Sequence, residues 1–91
     1  MQYTEQQQTP TLRQVTQIVI ENYLAHMKGE QVINLHQMVL EEVEAPLLEA
    51  VMDHEHLNQV RAAKKLGLSR GTLRKKLVQY FGDRYCGFRD S

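Results

Sequence analysis

An all-α fold of four helices is what this 91-residue sequence predicts. Three observations carry the prediction. The composition favours helices, with no Trp, two Pro and abundant Leu, Glu, Gln and Lys. Apolar residues recur at helical spacing through two stretches of the first half. Further on, residues 58–79 set small and aliphatic residues at the spacing of two short helices joined by a tight turn.

Taken in order, residues 1–11 are polar and Gln-rich, and read as a flexible N-terminal arm. The first helix starts at Leu12. Its helically spaced positions are Leu12, Val15, Ile18, Val19, Asn22 or Tyr23, and Met27, and Gly29 is a suitable stop. The second helix has Asn34 as N-cap with Gln37 three residues on, the pattern of a capping box. Leu35, Met38, Val39, Val43, Leu47, Leu48, Val51 and Met52 mark one face of it. Pro46 lies inside. It removes one backbone hydrogen bond, so a kink is expected there, with two helices broken near Ala45 as the alternative.

The apolar surface of these two helices is wide, and Ile20, Val32 and Ile33 widen it further. Two helices facing each other cannot cover it. Intertwining with a second copy would, so residues 12–56 are expected to form a homodimer core. Glu41, Glu42, Glu44 and Glu49 are expected on its solvated side.

The third helix begins after the cap Asn58 and runs to about Leu66. Gly67 supplies the turn, where a residue without Cβ takes positive φ freely. Ser69 caps the fourth helix, which runs to about Gln79. Ala63, Gly67 and Leu73 fix the packing of the pair, and Leu66, Leu68 and Leu77 complete its small core. Residues 57–80 are thus a helix-turn-helix unit, and residues 81–91 a short tail.

Charge divides the chain sharply. Residues 58–79 carry seven basic residues and no acid: Arg61, Lys64, Lys65, Arg70, Arg74, Lys75 and Lys76. Residues 1–57 carry nine acids against Arg13 and Lys28. The zero net charge conceals that split. A compact basic unit of this kind is the electrostatic footprint of a DNA reader.

On a helical wheel of the fourth helix, Leu73 and Leu77 point inward. Gly71, Thr72, Lys75 and Gln79 lie opposite, with Arg70 and Arg74 on one flank and Lys76 on the other. A recognition helix reads bases with its N-terminal part, here Arg70 and Thr72. Arg suits guanine O6 and N7 in bidentate fashion. Arg74, Lys75 and Lys76 suit phosphates, and Asn58 and Arg61 are placed to grip the backbone at the third helix.

These residues resemble a known family. LNQVRAAKKLGLSRGTLRKKL, with LEEVEAPLLEAVM upstream, is similar to the Fis family, the factor for inversion stimulation of bacterial nucleoids. The likeness spans roughly Leu12 to Tyr80. It implies a homodimer whose first two helices interlock and whose last two form the helix-turn-helix. It also implies binding and bending of degenerate AT-rich duplexes, as a nucleoid-associated transcription regulator. Arg70 matches the family's principal base-reading arginine. Asn58, Thr72, Arg74, Lys75 and Lys76 match DNA or phosphate contacts, and Ser69 stands where well-studied members have Asn. Val60 replaces a phosphate-binding Thr, and Val78 and Gln79 replace Lys. The arm before Leu12 is short for the family's hairpin that touches the DNA invertase, so recombination enhancement is not expected. RNA polymerase is a further candidate partner for such a regulator.

Other functions find less support. No apolar run approaches the roughly 20 residues of a membrane span. The N-terminus lacks a signal-peptide pattern. Cys86 is the only cysteine, which excludes an internal disulfide and fits a reducing cytoplasm. His54, Glu55 and His56 invite a zinc reading. Such a site needs three or four converging ligands, and His26, His36 and Cys86 are distant in sequence, so a polar helix end is preferred. Tyr80, Phe81, Tyr85 and Phe88 are expected to pack rather than to stack on bases. No paired carboxylates, nucleophile–base set or phosphate loop stands out, so neither an enzyme, nor a cofactor, nor a small-molecule substrate is expected. The start at Met1 is expected of a complete small protein rather than the end of a larger activator. The competing reading is a protein-interaction module, in which the acidic half binds a partner and DNA contact is secondary.

Overall fold

The computed structural model describes residues 9–27, 31 and 33–86. The arm over residues 1–8, the stop at Gly29, and the positions of Val32 and Phe88 lie outside them. The described residues form four α-helices and no strand: α1 (Leu12–Ala25), α2 (Leu35–His54), α3 (Gln59–Leu66) and α4 (Arg70–Phe81). The chain divides into two units between Ile33 and Asn34.

In the first unit, α1 opens on a capping box that the sequence reading passed over. Thr11 Oγ1 accepts from the Gln14 N–H at 3.1 Å, and Gln14 Oε1 accepts from the Thr11 N–H at 2.9 Å. Such a cap contributes about 1 kcal/mol. The helix closes at His26, whose N–H donates to the carbonyls of Asn22 and Tyr23. None of its residues is buried.

In the second unit, α2 runs unbroken through Pro46, which excludes two helices broken near Ala45. The ring only denies the Glu42 carbonyl its usual donor. The expected capping box at its start does not form. Asn34 takes a left-handed conformation (φ 57°), and its side chain makes no cap hydrogen bond. A capping side chain needs extended backbone to reach the first-turn amides. Asn is also among the few residues that tolerate left-handed backbone, and here that property decides. Gln37 instead donates to Glu41 one turn on, at 2.9 Å.

Only part of the apolar face expected of α2 is covered. Leu48 and Met52 are buried in a core with Ala62, Ala63, Leu73, Leu77 and Tyr85. Leu40, Val43 and Leu47 stay exposed. Nor are all the acids of α2 merely solvated. Glu44 Oε2 pairs with Lys76 at 2.9 Å, its Oε1 accepts from the Tyr80 hydroxyl at 2.6 Å, and Glu49 pairs with Arg84 at 2.9 Å.

The α2–α3 connection places two successive non-glycine residues, His56 and Leu57, at positive φ. Each costs on the order of 1 kcal/mol. Hydrogen bonds from Leu57 N–H to the Met52 carbonyl (2.8 Å) and from Asn58 N–H to the Glu55 carbonyl (3.0 Å) hold the turn. After α4, residues 82–86 fold back. Tyr85 enters the core, its ring edge-on to Phe81 at 5.5 Å. Tyr80 and Phe81 also pack against that core, as expected of the tail aromatics.

Candidate nucleic-acid interface

The helix pair forms from local signals. The side chain of Asn58 caps α3 by accepting from the Arg61 N–H at 3.0 Å. Gly67 ends α3 at φ 77°, a left-handed conformation in which a β-carbon would be strained. Leu68 N–H then returns to the Ala63 carbonyl at 3.0 Å. Ser69 caps α4 by accepting from the Thr72 N–H at 3.1 Å, while its own hydroxyl donates to Thr72 Oγ1 at 2.9 Å. Ser69 and Thr72 therefore hold each other. Thr72 keeps its hydroxyl proton to donate outward.

Leu73 and Leu77 seal the inner face of α4, and Ala62 and Ala63 that of α3. Ala62 was not singled out from the sequence, although it neighbours Ala63 on the inward side. On the outer side Arg70, Gly71, Thr72, Arg74 and Lys75 are exposed. No atom comes within 4 Å of where a β-carbon on Gly71 would stand, so the backbone there is open to close approach. Asn58 lies half-buried at the start of α3.

The seven cations are not equivalent. Among the described residues nothing pairs with Lys64, Arg74 or Lys75. Three others are held by acids. Arg61 Nε and Lys65 Nζ each lie 3.2 Å from one carboxylate, that of Glu55. Lys76, half-buried, is held by Glu44. The Lys65 ammonium, with Arg61 beside it, keeps the Glu55 carboxyl below its usual pKa against the effect of burial. The Tyr80 hydroxyl and Lys76 do the same for Glu44. In return, Glu44 pushes the Tyr80 hydroxyl up to about 12.

Sequence reasoning placed Asn58, Arg61, Ser69, Arg70, Thr72, Arg74, Lys75 and Lys76 in one site. The structure carries all eight on α3, α4 and their caps. Sequence reasoning missed the ion pairs of Glu55 and Glu44 and the role of Gln59. Gln59 is buried and donates from Nε2 to the Tyr85 carbonyl at 3.2 Å, tying α3 to the tail. Glu55 lies between the two histidines once considered for zinc, and its carboxylate is turned to Arg61 and Lys65 instead. No group of three or more metal-ligand residues converges among the described residues. No helix there is long and apolar enough to cross a membrane.

Comparison with known proteins points the same way. Residues 39–80 match the profile of the family described as bacterial regulatory protein, Fis family. The chain is 53% identical over 77 residues to a Fis-like DNA-binding protein of Pseudomonas aeruginosa, covering 85% of this chain and 74% of that one. It is 52% identical over 69 residues to the DNA-binding protein Fis of Aeromonas hydrophila, covering 76% and 70%. It is 48% identical, over the same shares, to the DNA-binding protein Fis of Vibrio cholerae.

Proposed function

The chain belongs to the Fis family of bacterial regulatory proteins, and from that footing we propose that it is a homodimer that binds and bends degenerate AT-rich duplexes. In this reading it regulates transcription within the bacterial nucleoid, in the cytoplasm, with RNA polymerase as a further partner. One observation carries the DNA contact. The α3–Gly67–α4 pair is sealed inside by Ala63, Leu73 and Leu77 and presents Arg70, Thr72, Arg74 and Lys75 outside. Arg70 and Thr72 stand in the first turn of α4, the part of a recognition helix that reaches base edges. Asn58, Arg61, Arg74 and Lys75 set the register on phosphates, with Ser69 holding the start of α4. Lys76 adds to the field, but Glu44 takes up part of its charge.

The exposed apolar residues favour the dimer. Val15, Ile18 and Val19 on α1, and Leu40, Val43 and Leu47 on α2, lie on the surface of the chain. A second copy is the partner that would remove them from water.

The test is anisotropy of a labelled AT-rich duplex of about 25 base pairs, titrated at several salt concentrations. If each dimer neutralises on the order of ten phosphates, log K falls with log salt at a slope near −9. Two chains per duplex are expected. Arg70→Ala is expected to lose about 1–3 kcal/mol of sequence preference per half-site. Equal losses on preferred and random duplexes would remove Arg70 from base reading. An absence of binding at low salt would favour the protein-interaction module instead.

A further inference from the structure

Arg61 is held at two points. Its backbone N–H is capped by Asn58 Oδ1 at 3.0 Å. Its side chain is held by Glu55, through Nε and not through the terminal nitrogens, at 3.2 Å. A guanidinium bound at Nε still has its Nη1–Nη2 edge, which points outward from the end of the side chain, about 120° from the Nε–H. Among the described residues nothing occupies that edge, and the Arg61 side chain is 67% exposed while that of Glu55 is 7% exposed. The carboxylate is thus a fixed, buried anchor, and the guanidinium is its outward face.

The anchor is itself over-determined. Glu55 ends α2 at the strained turn through His56 and Leu57. Its second oxygen takes Lys65, one turn along α3 from Arg61. At the start of α3, the N–H groups of Asn58 and Arg61 are already taken. Those of Gln59 and Val60 have no partner within the helix, which is the ordinary state of a first turn. Donors at a helix start, with an arginine fork beside them, suit a phosphate oxygen.

We propose that Glu55 is a positioning residue for DNA: it grips Arg61 by Nε and so presents the Nη1–Nη2 edge to the phosphate crossing the start of α3. The inference rests on the DNA-binding reading above. It predicts behaviour opposite to that of a simple charge mask. Removing an acid beside two cations ordinarily strengthens DNA binding. Here it releases Arg61 into many rotamers, and the phosphate must then reorder a long side chain before it binds.

The experiment measures duplex binding of the full chain as Glu55→Ala, Glu55→Gln and Arg61→Lys, with thermal melting of each as a fold control. Glu55→Ala is expected to bind roughly tenfold more weakly per half-site, the scale of losing one charge-assisted hydrogen bond, and so on the order of a hundredfold for the dimer. Its salt slope should flatten by about one per half-site, although the protein gains positive charge. Glu55→Gln keeps a carbonyl that accepts from Nε, and should stay within about twofold of the parent chain. Arg61→Lys keeps the charge and loses the fork, so it should weaken binding as Glu55→Ala does. In an Arg61→Ala background, Glu55→Ala should weaken binding no further, since the loss runs through Arg61; release of Lys65 can only tighten it.

Glu55→Ala binding as tightly as the parent chain, or more tightly, would overturn the proposal and leave Glu55 as a charge mask. So would equal loss with and without Arg61, which would mark a damaged fold, or Arg61→Lys binding like the parent. The two readings fail separately. A parent chain that ignores the duplex defeats DNA binding itself. A parent that binds, with Glu55→Ala following it, defeats only the role of Glu55.

Discussion

The two units of this chain are stabilised by different means. Residues 34–86 close a core in which Met52 and Leu73 are 0% exposed. In the other unit α1 buries nothing, although Leu12, Val15, Ile18, Val19 and Leu24 stand along it. A helix of 14 residues held by a cap and its own hydrogen bonds is marginal in water. The comparison shows that apolar spacing is a demand for a covering surface and does not say which surface answers it. In α2 both outcomes occur on one helix. Leu48 and Met52 are covered by α3, α4 and the tail, whereas Leu40, Val43 and Leu47 stay exposed among the described residues.

The largest effect expected is on the covered side. Leu73 has no exposed surface, and Leu73→Ala should cost about 2–5 kcal/mol through lost transfer energy and the cavity left behind. For so small a core that is a large part of the total stability. Urea melts followed by circular dichroism should show the helix-turn-helix unit unfolding first. A melt unchanged to within about 0.5 kcal/mol would mean that the core is not what holds this unit.

The next effect is on the uncovered side. Leu47→Asp places a charge on the exposed face of α2 and touches none of the buried cluster. If the proposed dimer covers that face, the change removes about 2 kcal/mol of apolar burial per chain. Burying the charge adds to the penalty. The melt of the core should hold while light scattering at micromolar concentration falls from the mass of two chains to one. An unchanged mass would place the dimer contact elsewhere.

How much of this was legible depended on distance along the chain. The caps at Asn58 and Ser69, the left-handed Gly67 and the inward Ala63, Leu73 and Leu77 are written in residues three or four positions apart, and all were read. Asn34 was misread because one residue type carries two local options, a capping side chain and left-handed backbone, and the sequence does not say which wins. The contacts that were missed are long-range. Tyr80 meets Glu44 across 36 positions and Gln59 meets the Tyr85 carbonyl across 26. No periodicity encodes such pairs. Glu55 is intermediate, six positions from Arg61. The strained turn between them brings the two together, and nothing in the composition of that turn announces it. The outer face of α4 was legible because it follows from the inner one; which of its cations would be tied to acids was not.

The smallest effect concerns one of those ties and separates the two limbs of a pH profile. Glu44 has a folded pKa depressed by Tyr80 and Lys76. Its contribution is therefore present above the ordinary carboxylate range and is lost as pH falls below it, and Glu55 adds to the same limb. Tyr80 is shifted the other way, up to about 12, because its hydroxyl donates to the Glu44 carboxylate. Its contribution is present below the ordinary tyrosine value near 10 and is lost as pH rises from there to about 12. Tyr80→Phe should therefore flatten the alkaline limb of urea midpoint against pH. Tyr85, raised by its own burial, leaves a residue of that limb in place. At neutral pH the variant should lose little stability, since it gives up a single hydrogen bond. Lys76 keeps its place on Glu44 in that variant, so duplex binding should barely move. A steep loss of DNA affinity in Tyr80→Phe would show that the Glu44 contacts orient α4 on the duplex as well as fastening it to α2, and would join the covered region to the reading face more closely than their separate ion pairs suggest.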